Sequence, residues 1–143
     1  LPTALMINLR ELTGYTLGAA ALSITGLGIF YAWPTLTPPT GIDWTDHPSI
    51  QFLKDMDASG NACPSLHAAF AVFTAIWLAR MLRRLDAGRP AHIANVLWAA
   101  AIVYSTVATR QHVALDALAG SVLGWGAARI NLRLCAEPPP CSG

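Results

Sequence analysis

The sequence carries little charge for its length. Only 12% of its 143 residues are charged, whereas soluble domains usually carry about 25%. The formal net charge of +1 offers no basic surface of the kind that binds nucleic acid, and three cysteines are too few for a disulfide-stabilised scaffold. Because the uncharged residues fall in long apolar runs, the sequence predicts a membrane protein rather than a soluble domain.

The sequence contains long apolar segments. A helix needs roughly 20 mostly apolar residues to cross a bilayer. Four segments approach that length, namely 12–33, 66–82, 93–109 and 113–134. The last is the most polar, since Asp116 lies near one end and Arg129 and Arg133 lie near the other. The predicted fold is therefore an all-α, polytopic transmembrane helical bundle with four spans in this chain.

Positive charge collects on one side of these segments if successive spans alternate in direction. The residues on that side are Arg10, Arg80, Arg83, Arg84, Arg89, Arg129 and Arg133. The positive-inside rule makes that side cytoplasmic. The acidic loop 33–63 and the turn 109–112 then lie on the opposite side. We therefore predict an integral protein of the plasma (inner) membrane whose polar segments lie on the extracytoplasmic face.

Two segments on this outer side concentrate the polar residues that membrane helices usually avoid. One is CPSLH at 63–67, at the start of the second span. The other is TRQH at 109–112, followed by Asp116, at the junction of the third and fourth spans. Ionisable residues at membrane depth are functional candidates by default. Since the predicted topology puts both segments on one face, they can meet in space.

The residue types and spacing in these two segments fit phosphoryl transfer. His112 and Asp116 are four residues apart at a helix start, so the carboxylate can accept one ring N–H and leave the other nitrogen as a nucleophile. Arg110 can bind phosphate oxygens, and Ser65 lies at a helix N-terminus, where anions bind. His67 can protonate the leaving oxygen. Together they predict a phosphohistidine mechanism that needs no metal and no cofactor.

Alternative interpretations exist for the same residues. Ser65 is also a common helix-initiating residue. His112 and Asp116 can form a buried polar pair between helices, in which case the protein is a non-enzymatic membrane helical module. His67, together with that pair, can also bind a metal ion, although no clear further ligand is present. His47 and His92 lie in predicted loops with no partner pattern and are predicted to be structural.

The two motifs resemble those of the type 2 phosphatidic acid phosphatase superfamily. PSLH at 64–67 resembles its P-S-x-H motif. The stretch HVALDALAG at 112–120 resembles its last motif, in which H-x-x-x-D precedes small residues. The resemblance extends over about residues 34–124. It implies an all-α membrane bundle with six helices in the full family, and an enzyme of lipid metabolism that acts on lipid phosphates.

The same resemblance implies a role for each motif residue. It makes His112 the nucleophile and Asp116 the carboxylate that orients it. It makes His67 the general acid and Ser65 a phosphate ligand. These roles agree with those derived from the residue types and spacing alone.

Two departures from the family pattern narrow the prediction. The usual last motif has an arginine six residues before the nucleophilic histidine, where this chain has Thr106, and its arginine is instead Arg110. That variant is similar to the branch that contains inositol phosphorylceramide synthases and related lipid phosphotransferases. The first basic motif is missing, since Arg10 is the only early arginine. We therefore expect a fragment, with one phosphatase-like domain at 1–134 that lacks its N-terminal part and a disordered tail at 135–143.

Overall fold

A computed structural model describes residues 9–35, 63–108 and 114–135 of the chain. These residues form four helices, which are α1 (Leu9–Ala32), α2 (Leu66–Arg84), α3 (Arg89–Ala108) and α4 (Ala114–Leu134). Each helix coincides with one of the four apolar segments, so the all-α prediction is confirmed. The predicted outer ends at Thr109 and Val113 lie outside the described residues, as does the predicted tail beyond Cys135.

Among the described residues, α1, α2 and α3 are long and apolar enough to cross a membrane. Helix α4 has 21 residues but falls below the apolarity that the other three helices reach over a membrane-spanning length. Its charged residues, Asp116, Arg129 and Arg133, lie near the two ends. It is also the segment that the sequence predicted to be the weakest span. Its length matches a bilayer crossing, and its place as a fourth span stays a prediction.

Small residues bring α4 into close contact with α2. The buried face of α4 includes Asp116, Gly120, Gly124 and Ala128, spaced at four-residue intervals. Gly120 lies against the backbone of Ser65, and Gly124 lies against the backbone of Ala69. Glycines at such spacing let two membrane helices approach to backbone contact. The contacts also show that α2 and α4 run in parallel, with their N-terminal ends side by side.

Polar side chains join α1 to α2 and α4. The indole Nε1 of Trp77 donates to Oδ1 of Asn131 at 3.0 Å, and Nδ2 of Asn131 donates to the carbonyl of Gly14 at 3.1 Å. The hydroxyls of Tyr15 and Thr74 are hydrogen-bonded at 3.1 Å. These bonds satisfy polar groups that would be costly to bury unpaired in an apolar setting. They also show that α1 runs antiparallel to α2 and α4.

The helices alternate in direction, as the interpretation of the charge pattern assumed. The short turn after α2 returns the chain along it, and Nδ2 of Asn95 in α3 donates to the carbonyl of Ala75 in α2 at 2.9 Å. Glu11 at the start of α1 forms an ion pair with Arg84 at the end of α2. The described arginines therefore lie toward one end of the bundle and the motif residue Ser65 lies at the other.

Candidate active site

The start of α2 meets the start of α4 at a direct backbone contact. The N–H of Ser65 donates to the carbonyl of Asp116 at 3.0 Å. Ser65 is fully buried, and Asp116 is only 6% exposed. The structure thus brings together two of the residues that the sequence placed in the site, although they lie in segments far apart along the chain.

Ser65 begins α2 as its N-cap residue. Its backbone is extended, and its hydroxyl oxygen accepts the N–H of Ala68 at 3.4 Å. Its carbonyl accepts the N–H of Ala69 at 3.0 Å. The first N–H groups of a helix have no partner within the helix, and the helix dipole favours an anion beside them. This local geometry is compatible both with simple helix initiation and with phosphate binding at the same point.

Cys63 lies near Asp116, two residues before the N-cap of α2. Its N–H donates to Oγ1 of Thr35, just beyond α1, at 2.8 Å. Burial first, and then the neighbouring carboxyl group of Asp116, raise the pKa of the Cys63 thiol above its ordinary value. The sequence had pointed to this residue only as part of the CPSLH segment and assigned it no role.

His67 lies on the side of α2 that faces α3. It is exposed and lines a cavity of about 670 Å³ between the two helices. The other lining residues are Leu66, Phe70, Ala71, Thr74, Ala75, Leu78, Asn95, Trp98, Ala99 and Ile102. Nearly all of them are apolar, and those from α2 extend from Leu66 to Leu78. His67 is therefore at the end of the cavity nearest Ser65.

A second cavity lies on the other side of the Ser65–Asp116 junction. It has a volume of about 740 Å³ and is bordered by the end of α1, the residues before α2 and the first turns of α4. Thr35, Cys63 and Leu115 are among its lining residues. The junction thus separates two largely apolar spaces, one next to His67 and one next to Cys63.

Arg110 and His112 lie outside the described residues. They belong to the five-residue link that joins Ala108 of α3 to Ala114 of α4. The distances from His112 to His67 and to Asp116, and every role assigned to these residues, therefore stay predictions. Within the described ranges, no group of three His, Cys, Asp or Glu residues is arranged to hold a metal ion. The metal interpretation included His112, so it is not tested by that observation.

A comparison with protein families identifies the family of this chain. The model of the PAP2 superfamily matches residues 10–136, which include both motifs. The chain belongs to the PAP2 superfamily. The resemblance to type 2 phosphatidic acid phosphatases is therefore confirmed at the level of the superfamily. No curated protein and no solved structure matches the chain.

Membership of the PAP2 superfamily carries a general function. Members are generally phosphatases or phosphotransferases, and the superfamily acts on lipid phosphates in membranes. Membership therefore suggests lipid phosphatase or phosphotransferase activity for this chain. Together with three helices apolar enough to cross a membrane, it also suggests an integral membrane protein.

Two polar residues of this PAP2 chain were missed by the sequence reasoning. Asn95 is buried and bonds to the backbone of α2, and Asn131 links Trp77 to Gly14. Each lies in a mostly apolar helix, and this was the signal available in the sequence, because polar side chains at membrane depth need partners. Asn131 lies toward the arginine-rich end of the bundle and supports the helix packing, whereas Asn95 also lines the cavity beside His67.

Proposed function

We propose that this protein is a membrane enzyme that transfers the phosphoryl group of a lipid phosphate through a phosphohistidine. The observation that supports this most is the junction of Ser65 with Asp116 in a chain of the PAP2 superfamily. It brings a helix N-terminus, suited to an anion, next to the carboxylate proposed to orient His112. Two helices that pack together for structural reasons alone would form the same backbone hydrogen bond. The proposal therefore depends on the reaction in which these residues take part.

In the first step a ring nitrogen of neutral His112 attacks phosphorus, and the bond to the leaving lipid oxygen breaks. Asp116 accepts the other ring N–H of His112 and stabilises the positive charge that develops on the ring. His67 gives its proton to the leaving oxygen. Ser65, the first N–H groups of α2 and Arg110 bind the phosphoryl oxygens, whose charge they stabilise in the transition state.

In the second step a hydroxyl group attacks phosphorus and the N–P bond breaks. His67, now neutral, takes the proton of the attacking hydroxyl, and His112 returns to its neutral form. Water as the acceptor makes the enzyme a phosphatase, and an alcohol makes it a transferase. The position of Arg110, two residues before His112, favours a transferase like those of the inositol phosphorylceramide synthase branch, which pass a phosphoryl-headgroup to an alcohol.

The surroundings of His67 fit a lipid substrate. The cavity beside it is apolar and follows α2 into the bundle, so an alkyl chain in it would hold the phosphate ester near the start of α2. In the orientation favoured by the arginines, this end faces the extracytoplasmic side of the membrane. Lipid phosphate in the outer leaflet is then the proposed substrate.

A labelling experiment tests the covalent step. The full-length gene product in detergent is mixed with phosphatidic acid carrying labelled phosphate and quenched during turnover. We expect acid-labile label on the wild-type protein and none on the His112→Ala variant, while His92→Ala, changed at the far end of α3, is labelled like the wild type. Turnover without label in any of them would favour direct attack by water. A folded protein without turnover on lipid phosphates would favour the non-enzymatic module.

The same mechanism predicts a bell-shaped dependence of kcat/KM on pH. It needs His112 neutral and His67 protonated in the same molecule, so the rate falls when the first gains a proton and when the second loses its own. Steady-state rates on phosphatidic acid across the neutral range measure both limbs. A rate that changes in only one direction, with chemistry limiting, would contradict the acid–base pair.

A further inference from the structure

The cavity between α2 and α3 is apolar along its length and has a polar residue at each end. His67 lies at the end nearest the start of α2, and Asn95 lies toward the other end, bonded to Ala75. Thr74 also lines the cavity, but its hydroxyl is hydrogen-bonded to Tyr15. The remaining lining side chains are aliphatic or aromatic. The α2–α3 cavity is therefore an apolar channel that begins at a motif residue and ends at an amide.

The amide of Asn95 marks the inner end of this apolar channel. Asn95 is only 8% exposed, and its Nδ2 donates to the carbonyl of Ala75 at 2.9 Å. The carbonyls of a helix point toward its C-terminal end, so the amide lies on the Leu78 side of Ala75. A primary amide has further hydrogen-bonding positions beyond this one donor. Hydrocarbon cannot satisfy them, and covering them with it costs free energy.

The length of the channel corresponds to an alkyl chain of moderate length. The rise of α2 from His67 to Leu78 is about 16 Å at 1.5 Å per residue. An extended alkyl chain advances about 1.3 Å per carbon, since its bonds of about 1.5 Å follow a zigzag. About a dozen carbons therefore extend from His67 to the amide of Asn95.

The space between the two helices admits a chain but not another helix. Helices α2 and α3 touch at the bond between Asn95 and Ala75, whereas a helix with its side chains is about 10–12 Å across. Trp98, which lines the cavity, is 67% exposed. An alkyl chain can therefore enter from the bilayer beside Trp98 without leaving apolar surroundings.

We propose that the α2–α3 cavity holds one alkyl chain of the substrate and that Asn95 limits this chain to about a dozen carbons. The proposal rests on the proposed function, in which His67 acts on the phosphate ester at the head of that chain. It adds a specificity-determining residue, Asn95, that lies far from the two motifs. The terminal methyl group lies against Asn95 when the ester lies at His67.

Ala99 offers a way to shorten the channel, and its neighbour Ala100 offers a matched control. Ala99 lines the cavity one turn nearer to His67 than Asn95 does, which is about 6 Å along the helix. Ala99→Leu fills the channel there and shortens it by about four to five carbons. Ala100 is exposed and is not part of this lining, so Ala100→Leu adds the same side chain outside the channel.

A competition experiment tests the limit on chain length. The full-length protein in lipid nanodiscs is given octyl, dodecyl and hexadecyl phosphate together, and the product ratios give the ratios of kcat/KM. Wild type and Ala100→Leu are expected to prefer dodecyl to hexadecyl phosphate by at least about fivefold, the lower end of the cost of forcing extra volume into a packed space. Ala99→Leu is expected to shift the preference toward octyl phosphate. Asn95→Ala, which deepens the channel, is expected to accept hexadecyl phosphate as well as dodecyl phosphate.

The opposite directions of these two changes separate selection of the chain from a general loss of stability, which would lower all three rates together. The proposal is overturned if Ala99→Leu and Ala100→Leu give the same product ratios. Equal use of dodecyl and hexadecyl phosphate by the wild type overturns it as well.

A photolabelling experiment locates the chain without any need for turnover. Dodecyl phosphate with a diazirine on its last carbon is irradiated with the protein in nanodiscs, and the labelled residues are identified by mass spectrometry. Label is expected at Leu78 or Asn95, lost in Ala99→Leu and kept in Ala100→Leu. Label spread evenly over the lipid-facing residues of all four helices overturns the proposal. Label at Leu78 or Asn95 in protein that turns over no alkyl phosphate supports the chain site and assigns the failure to the proposed function.

Discussion

Replacing Gly120 with alanine is expected to unfold the detergent-solubilised protein at a clearly lower temperature. A methyl group at this position would lie 2.9 Å from the carbonyl carbon of Ser65 and closer still to its oxygen. The obstructing atoms are backbone atoms at the start of α2, so they cannot rotate away as a flexible side chain would. Forcing extra volume into a packed core typically costs about 1–3 kcal/mol. The Ser65–Asp116 hydrogen bond would be strained as well.

Gly126 offers a matched control on the same helix. A methyl group there meets no atom within 4 Å, so Gly126→Ala is expected to leave the melting temperature unchanged or to raise it, given the better helix propensity of alanine. Tryptophan fluorescence, to which the fully buried Trp77 contributes, can follow the melting of each variant. Equal melting temperatures for Gly120→Ala and Gly126→Ala would show that α2 and α4 do not touch at this point.

Apolarity alone predicted the four helices well, since it measures what a bilayer requires. The helix boundaries that it predicted were wrong at the N-terminal ends of two helices. Helix α1 begins at Leu9 and α3 begins at Arg89, ahead of the apolar starts at 12 and 93, because a polar end can keep the helical hydrogen bonds while its side chains reach water. Pro90 fits the first turn of α3 because the missing N–H has no partner there in any helix.

The meeting of the two motifs could also be predicted, because it depends only on the alternation of the spans. Charge placement put the starts of α2 and α4 at one end, and the Ser65–Asp116 bond is found there. The close approach of Cys63 to Asp116 could not be predicted in the same way. It depends on how α4 is rotated against α2, and that rotation is determined by the glycines that pack on the α2 backbone.

The rotation of α2 about its own axis also explains on which side of the helix His67 lies. The sequence did not predict that side. Helical side chains two positions apart point to nearly opposite sides. Ser65 and Ala69 pack against α4, so His67, midway between them, points away and lines the α3 side. For His67 to protonate a leaving group, the substrate must therefore bind on the α3 side of the junction, where the cavity lies.

Loss of His67 is expected to reduce the rate on an alkyl phosphate by about 10²–10⁴-fold, the usual contribution of a general acid. An alkoxide is a poor leaving group and needs the proton. A nitrophenolate is stable without one, so His67→Ala should release nitrophenol from a nitrophenyl phosphate in its first turnover at close to the wild-type rate. The first turnover is the quantity to measure, because it reports only the formation of the phosphohistidine.

His92→Ala serves as the control for this comparison. His92 is half-buried near the start of α3, toward the opposite end of the bundle, and its loss is expected to change neither rate. If His67→Ala slowed both substrates equally in the first turnover, while its melting temperature matched the wild type, His67 would be holding the phosphate rather than donating a proton. A loss confined to the alkyl phosphate would assign the proton to His67, since the two substrates differ in their need for it.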